Sequence, residues 1–284
     1  MKTIIKDKID PILFYCFVVI AIAIPILERQ MGWNWSNEAV LIYELFAFFS
    51  IVIGVFRFFG CIGIMALSVL ATVLANIECL ISIDAFGIGM TGGNILFAIT
   101  FLSTDIISEM YGKKQANKLV NMSIAISIAF LLFSQCWLLM KPNAADFVFP
   151  SIQSIFSNTP RLMIASLLTY AIVQKFDVWL YHKIWEWTEK KSDRKSYLWL
   201  RNNGSTMTSQ LLNAIIFTFA AFLTFDGDAF DANIYGSTGW CINVAVSTYL
   251  IYVFTSLMDT PVIYICRNLK EKGKVKDFEI VSKQ

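Results

Sequence analysis

Residues 94–114 read NILFAITFLSTDIISEMYGKK. An apolar run ends in two carboxylates, Asp105 and Glu109, four residues apart. On a helix that spacing stacks them on one face. A carboxylate facing lipid is expensive, so in a helix this apolar the pair must point at protein or at a polar ligand. The stretch therefore predicts a membrane helix with a functional face.

Composition agrees. Of 284 residues 57% are hydrophobic and 15% charged, and the mean hydropathy is +0.61. A soluble domain has about 25% charged residues, so this chain reads as a polytopic membrane protein. The net charge of +2 carries little information by itself. Cys16, Cys61, Cys79, Cys136, Cys241 and Cys266 lie in or beside apolar segments with no CxxC pair, as reduced core residues do. His182 is the single histidine, so an HExxH zinc site is excluded. No Gly-rich phosphate loop is present, and no cofactor is expected.

A membrane-spanning helix needs about 20 mostly apolar residues. Eight stretches qualify, at roughly 11–27, 39–58, 61–83, 92–111, 117–139, 160–182, 206–225 and 239–265. The first follows three lysines but lacks an A-x-A-like site before Glu28 and Arg29, so it reads as a retained helix. With the N-terminus in the cytoplasm, the inner regions hold 19 basic residues: Lys2, Lys6, Lys8, Arg57, Lys113, Lys114, Lys118, Lys183, Lys190, Lys191, Arg194, Lys195, Arg201, Arg267, Lys270, Lys272, Lys274, Lys276 and Lys283. The outer loops hold Arg29 and Lys141. This asymmetry predicts eight crossings of the cell membrane with both termini inside. Tryptophans mark the two boundaries, with Trp33, Trp35, Trp137 and Trp240 outside and Trp179, Trp185 and Trp187 inside. Residues 183–200 are expected partly along the inner surface as an amphipathic piece. The acidic loop at 225–239, with Asp226, Asp228 and Asp231, lacks the terminal glutamate of an EF-hand and reads as solvated.

Depth then follows from the rise per residue. Asp105 and Glu109, Gln174 and Asp177, Gln210 and Asn213, and Asp259 all fall in the inner half, where they are expected to meet in one cavity. Asn76, Glu78 and Arg161 form a smaller outer set. Glu44 and Arg57 are expected to snorkel or pair, away from the cavity. Lys175 reads either as a boundary partner of Asp177 or as part of the site. The block LRNNGSTMTSQ, 200–210, places Arg201, Asn202, Asn203, Ser205, Thr206 and Gln210 just before the seventh segment, where Ser205 or Thr206 can cap a helix. One cap does not account for six polar residues. Arg201 with two amides suits a planar polar ligand.

Three stretches carry a family resemblance. STDIISEMYGKKQANKLV (103–120) resembles the D-x-x-x-E-x-Y-G signature of the queuosine precursor transporter family, also known as vitamin uptake transporters. RLMIASLLTYAIVQKFDVWLYHKI (161–184) resembles its next signature at Arg161, Ser166, Gln174 and Asp177. LWLRNNGSTMTSQLLNAIIF (198–217) resembles its R-N-N-x-S-T…Q block. LANI (74–77) and MDTPVIY (258–264) match more weakly. The chain departs from the family pattern at Glu78 and Cys79 after ANI, at Ala98 in place of a proline, and at Asn213 in place of an aspartate.

The resemblance implies an all-α membrane bundle. Its six-helix core at 61–267 is similar to the substrate-binding subunits of vitamin importers. Residues 1–60 are a two-helix addition and 268–284 a basic cytoplasmic tail. It implies import of 7-deazaguanine precursors of queuosine (preQ0, preQ1 or queuine) through a site drawn from Asn76, Asp105, Glu109, Tyr111, Arg161, Gln174, Asp177, Arg201, Asn202, Asn203, Ser205 and Gln210. A guanine-like ring offers adjacent N–H donors to a carboxylate and a carbonyl to an amide or Arg. Glu109 or Asp105 suits the first role, and Asn203, Gln210 or Arg201 the second. Tyr111 and Phe101 offer stacking faces, and Asp177 an acid for an aminomethyl cation. Asp105, Asp177 and Asp259 are the candidates for proton coupling.

The leading reading is a solitary secondary transporter. The alternative is a binding subunit of an ATP-driven importer, for which Ala71 and Ala75 offer either a docking face or an internal packing face. An intramembrane enzyme is disfavoured, since no serine–base pair or metal spacing is present. The expected partners are a small-molecule deazapurine and the bilayer, with a homodimer left open and no nucleic acid.

Overall fold

The computed structural model describes residues 2–157, 159–190, 196–222 and 237–277. Among these described residues, eight helices and one small hairpin follow in order. They are α1 (Lys2–Met31), α2 (Asn37–Glu78), β1 (Ser82–Ala85), β2 (Ile88–Thr91), α3 (Asn94–Tyr111), α4 (Lys113–Leu138), α5 (Phe149–Phe156), α6 (Thr159–Glu189), α7 (Leu198–Phe222) and α8 (Thr238–Glu271). Six of the helices are long and apolar enough to cross a membrane.

α2 holds two of the expected segments. Laid straight, its 42 residues would extend about 63 Å. Instead the Asn37 side-chain amide donates to the Asp84 carbonyl at 2.8 Å, only six residues past the end of the helix. The chain therefore doubles back, and it does so at Gly60, the one non-helical residue inside (φ 55°, ψ −137°). That φ suits glycine, and a Cβ there would lie 2.0 Å from the Asp277 carboxylate. Counting two arms for α2, the bundle is traversed eight times. Both ends of the described chain meet at Arg57, which pairs with Asp10 and accepts a bond from the Lys276 amide at 2.9 Å. This end is called the tail end below, and the other the hairpin end.

The all-α bundle is as the sequence predicts, with corrections at the loops. The third segment was expected to reach residue 83 but α2 stops at Glu78, and the next residues pair as antiparallel β1–β2. Phe86 and Gly87, both at positive φ, close the hairpin as a primed turn. Gly93 lets α3 start hard against α2: a Cβ would meet the Ala75 carbonyl at 2.8 Å. The short α5 was not foreseen. α7 begins at Leu198, so the polar block lies inside the helix and Ser205 and Thr206 do not cap it. The Ser205 hydroxyl instead donates to the Arg201 carbonyl at 2.8 Å. α6 continues through Glu189, so 183–189 extend a membrane helix rather than lie along a surface. Trp185 belongs to no belt: it is buried beneath the Arg201 guanidinium, 4.4 Å from its ring centre. Ala71 and Ala75 are buried inside the chain and pack helices there. The loop acids Asp226, Asp228 and Asp231 lie outside the described residues, as do Lys191, Arg194, Lys195 and Lys283.

α3 sits at the centre. Its residues from Asn94 to Ser108 are buried on nearly every side. α7 faces it with an inward polar stripe of Arg201, Asn202, Ser205, Thr206, Ser209, Gln210 and Asn213, spaced at three and four residues. An apolar helix can keep such a stripe only by burying it against protein, because lipid offers it no hydrogen bonds.

Candidate functional site

The polar groups form a column along α3, read here from the hairpin end. A cleft of about 780 Å³ opens there, bounded by the β-hairpin, Leu162, Phe222 and Trp240. It shares Cys79 and Thr91 with a small cavity of about 20 Å³ lined by Asn94, Phe97, Ser166, Asn213, Phe217 and Tyr252. Asn213 donates to the Tyr252 hydroxyl at 3.3 Å. Phe97 packs against Phe101, Tyr170 and Tyr252. These rings and amides give the column an aromatic mouth.

Deeper, Gln174 of α6 is clamped by α3. Its Nε2 donates to Thr100 Oγ1 at 2.9 Å, and its Oε1 accepts from Thr104 Oγ1 at 3.1 Å. The next turn holds the acids. Thr206 Oγ1 donates to Asp105 Oδ2 at 2.8 Å, while Asp105 Oδ1 has no hydrogen-bond partner among the described residues. Asp177 lies beside Asp105, Ser205 and Ser209, with neither oxygen in a well-formed hydrogen bond. Asp259 accepts from Asn202 Nδ2 at 3.0 Å. Asn203 donates to Thr260 Oγ1 at 2.8 Å and accepts from Ser256 at 3.1 Å, so it is spent on holding α8. Gln210 is fully buried, and neither atom of its amide has a partner among the described residues. An unpaired buried polar group costs about 1–3 kcal/mol, so a column with several of them is built to be completed by something polar.

The column closes at the tail end on one carboxylate. Glu109 accepts from Arg201 Nε at 2.9 Å and Nη2 at 2.7 Å, and from the Tyr181 hydroxyl at 2.7 Å. Arg267 approaches the same group at 3.6 Å. Helices α3, α6, α7 and α8 are thus joined at one point. Beyond it lies a cavity of about 470 Å³ lined in part by Ser108, Glu109, Lys113, His182 and Trp185.

The structure therefore brings Asp105, Asp177, Gln174, Gln210, Asn202, Ser205 and Asp259 into one buried column, with Glu109 and Arg201 paired as its floor. Asn203 is at its edge. Three expected residues stand apart. Tyr111 donates to Asp277 at 2.6 Å at the tail end. Arg161 reaches the Ala220 carbonyl at 3.4 Å at the hairpin end. Asn76 donates to its own helix at Thr72 O, 2.9 Å away. Glu44 meets Glu78 across the two arms of α2, away from the column, and Arg57 takes Asp10 as its partner. Lys175 faces outward, on the side of α6 opposite Asp177. Sequence reasoning missed Asn94, Phe97, Phe217 and Tyr252 at the mouth, and Tyr181 and Arg267 at the floor. Asn94, a lone amide opening an apolar run, was a usable signal; the aromatics carried none among 24 Phe and 10 Tyr.

Comparisons with known proteins agree with this architecture. The family model described as "Putative vitamin uptake transporter" matches residues 91–266, which span α3 to α8. A Bacillus subtilis (strain 168) protein named "Probable queuosine precursor transporter" is 33% identical over 233 residues, covering 82% of this chain and 96% of that protein. No solved structure matches. A multi-pass helical bundle with a buried polar column, matched along its length by transporters, is a membrane transporter, and the chain belongs to the vitamin uptake transporter family.

Proposed function

We propose that the protein imports 7-deazaguanine precursors of queuosine as a solitary secondary transporter. The observation that carries this is the B. subtilis relative, matched over 96% of its own length and named for queuosine precursors. The chemistry of the column supports it. A deazaguanine ring has adjacent N–H donors for the open oxygens of Asp105 and Asp177, a carbonyl for the unpaired amide of Gln210, and a planar face for Phe97 and Tyr252. The hairpin-end cleft is the access route, and the Glu109–Arg201 pair closes the far side.

The inward direction rests on the basic-residue asymmetry, which assigns the tail end to the cytoplasm; both ends of the described chain lie there. Protons are the proposed coupling ion. What supports this is that Asp105, Asp177 and Asp259 are all buried in the same column, where bare carboxylates repel strongly in a low-dielectric core.

The test is a strain unable to make queuosine precursors. Expression of this protein should restore the modified tRNA when preQ0, preQ1 or queuine is supplied at low concentration. Rescue by none of them, with the protein present in the membrane, rejects the substrate class. Vesicle uptake that ignores an imposed pH gradient rejects proton coupling alone.

A further inference from the structure

The tail-end cavity is not part of the column. The Glu109–Arg201 pair stands between them, and the cavity lies on its far side. Its volume of about 470 Å³ falls within the range of about 300–1,000 Å³ found for small-molecule sites. Two of its groups are unspent. Ser108 is fully buried and its hydroxyl has no partner among the described residues. The same holds for the buried Nε2 of His182, whose ring lies parallel to that of Trp185, with 5° between the planes. A buried hydroxyl and an imidazole nitrogen left unpaired in the lining of one cavity cost free energy that a polar ligand would recover.

Ser108 follows Asp105 by three residues, so the two share a face of α3, about 4.5 Å apart along its axis. The face that carries the acid of the column thus runs past Glu109 into the cavity.

We propose that this cavity is a second binding station for the same planar base, occupied on the way out once the Glu109–Arg201 pair parts. The proposal rests on the substrate reading above. Ser108 and His182 between them offer both a donor and an acceptor, which suits the mixed edge of a guanine-like ring. Glu109, freed from Arg201, becomes available to its paired N–H groups. With the pair closed each station can hold a base of its own, and opening of the pair passes the base from the first to the second.

The experiment is equilibrium binding of radiolabelled preQ1 to the full chain in lipid nanodiscs, read as stoichiometry and affinity. Two sites per chain are expected. Ser108→Leu and, separately, His182→Phe should weaken one of them by about tenfold, the worth of one buried hydrogen bond. Asp105→Asn should weaken the other. His182→Phe keeps the ring against Trp185 and serves if Ser108→Leu fails to fold. A single site, lost in Asp105→Asn and untouched by both cavity variants, overturns the second station and leaves the substrate reading standing. Binding of no preQ1 at all overturns both.

Discussion

Arg201 of α7 grips Glu109 of α3 through two parallel N–H···O bonds of 2.9 and 2.7 Å, in a site where the Arg201 side chain is fully buried. Such a fork fixes both distance and orientation, which a lysine could not. It leaves Glu109 engaged rather than free to read a ligand. In this conformation the residue of the family signature serves as a fastening between four helices.

Removing one partner of a buried ion pair strands the other charge at a cost of about 3–5 kcal/mol. Glu109→Gln should therefore lower the unfolding temperature of the detergent-solubilised protein clearly, followed by tryptophan fluorescence. The double variant Glu109→Leu, Arg201→Met should be more stable than either single change, because it removes both charges. Equal melting curves for all variants would show that the pair holds nothing.

Asp105 keeps one oxygen open while Thr206 occupies the other. Asp105→Asn preserves size and removes the charge. Loss of a charge-assisted bond to the base should weaken binding by about 1.5–3 kcal/mol, roughly 10- to 150-fold in Kd. Gln210→Leu should weaken it less, since a neutral hydrogen bond contributes about 0.5–1.5 kcal/mol. Titration of purified variants with preQ1 measures both, and unaltered affinity in the Asp105 variant would remove that acid from the site.

Gly60 turns α2 back on itself with φ 55°, against Asp277. Gly60→Ala places a methyl group 2.0 Å from the Asp277 carboxylate and forces a side chain into positive φ. The backbone strain alone is about 1–2 kcal/mol. The expected result is a lower melting temperature and faster protease cleavage near residue 277. A silent substitution would mean the reversal is made elsewhere.

Asp277 is a latch at the tail end. Its partial burial alone would raise its carboxyl, but Lys270, the Tyr111 hydroxyl and the Cys61 amide outweigh that and hold it below the usual carboxylate range. A carboxyl lowered by folding contributes stability above its unfolded value, lost as pH falls through its folded value. Acid should therefore loosen this latch before the helices unfold. The protection factors of the amides around 274–277, taken against the intrinsic exchange rate at each pH, should fall on acidification in the native protein. In Asp277→Asn the protection should already be low at neutral pH and stay unchanged across that range.

Much of this protein was determined by its sequence alone. Eight apolar segments, the placement of nearly all basic residues at alternate loops, and the buried acids of α3 and α6 follow from one physical rule: the bilayer interior tolerates charge only where protein covers it. That rule identified Asp105, Asp177, Gln210 and Asp259 as a converging set; the structure buries all four and sets Asp177 and Asp259 near Asp105. Tertiary structure alone decided what each polar group does with its hydrogen bonds. Hydropathy cannot tell that Arg201 would spend itself on Glu109 rather than on a ligand, that Tyr111 would turn to Asp277, or that Asn94 and Tyr252 would share a cavity wall. Nor can it place the start of α7: apolar counting begins a helix where the polar residues stop, yet a polar stripe is helical when facing helices satisfy it. Pairing depends on which residues of distant segments come within about 3 Å of one another, and a single sequence carries the depth of each residue in the membrane but not its rotation about the helix axis.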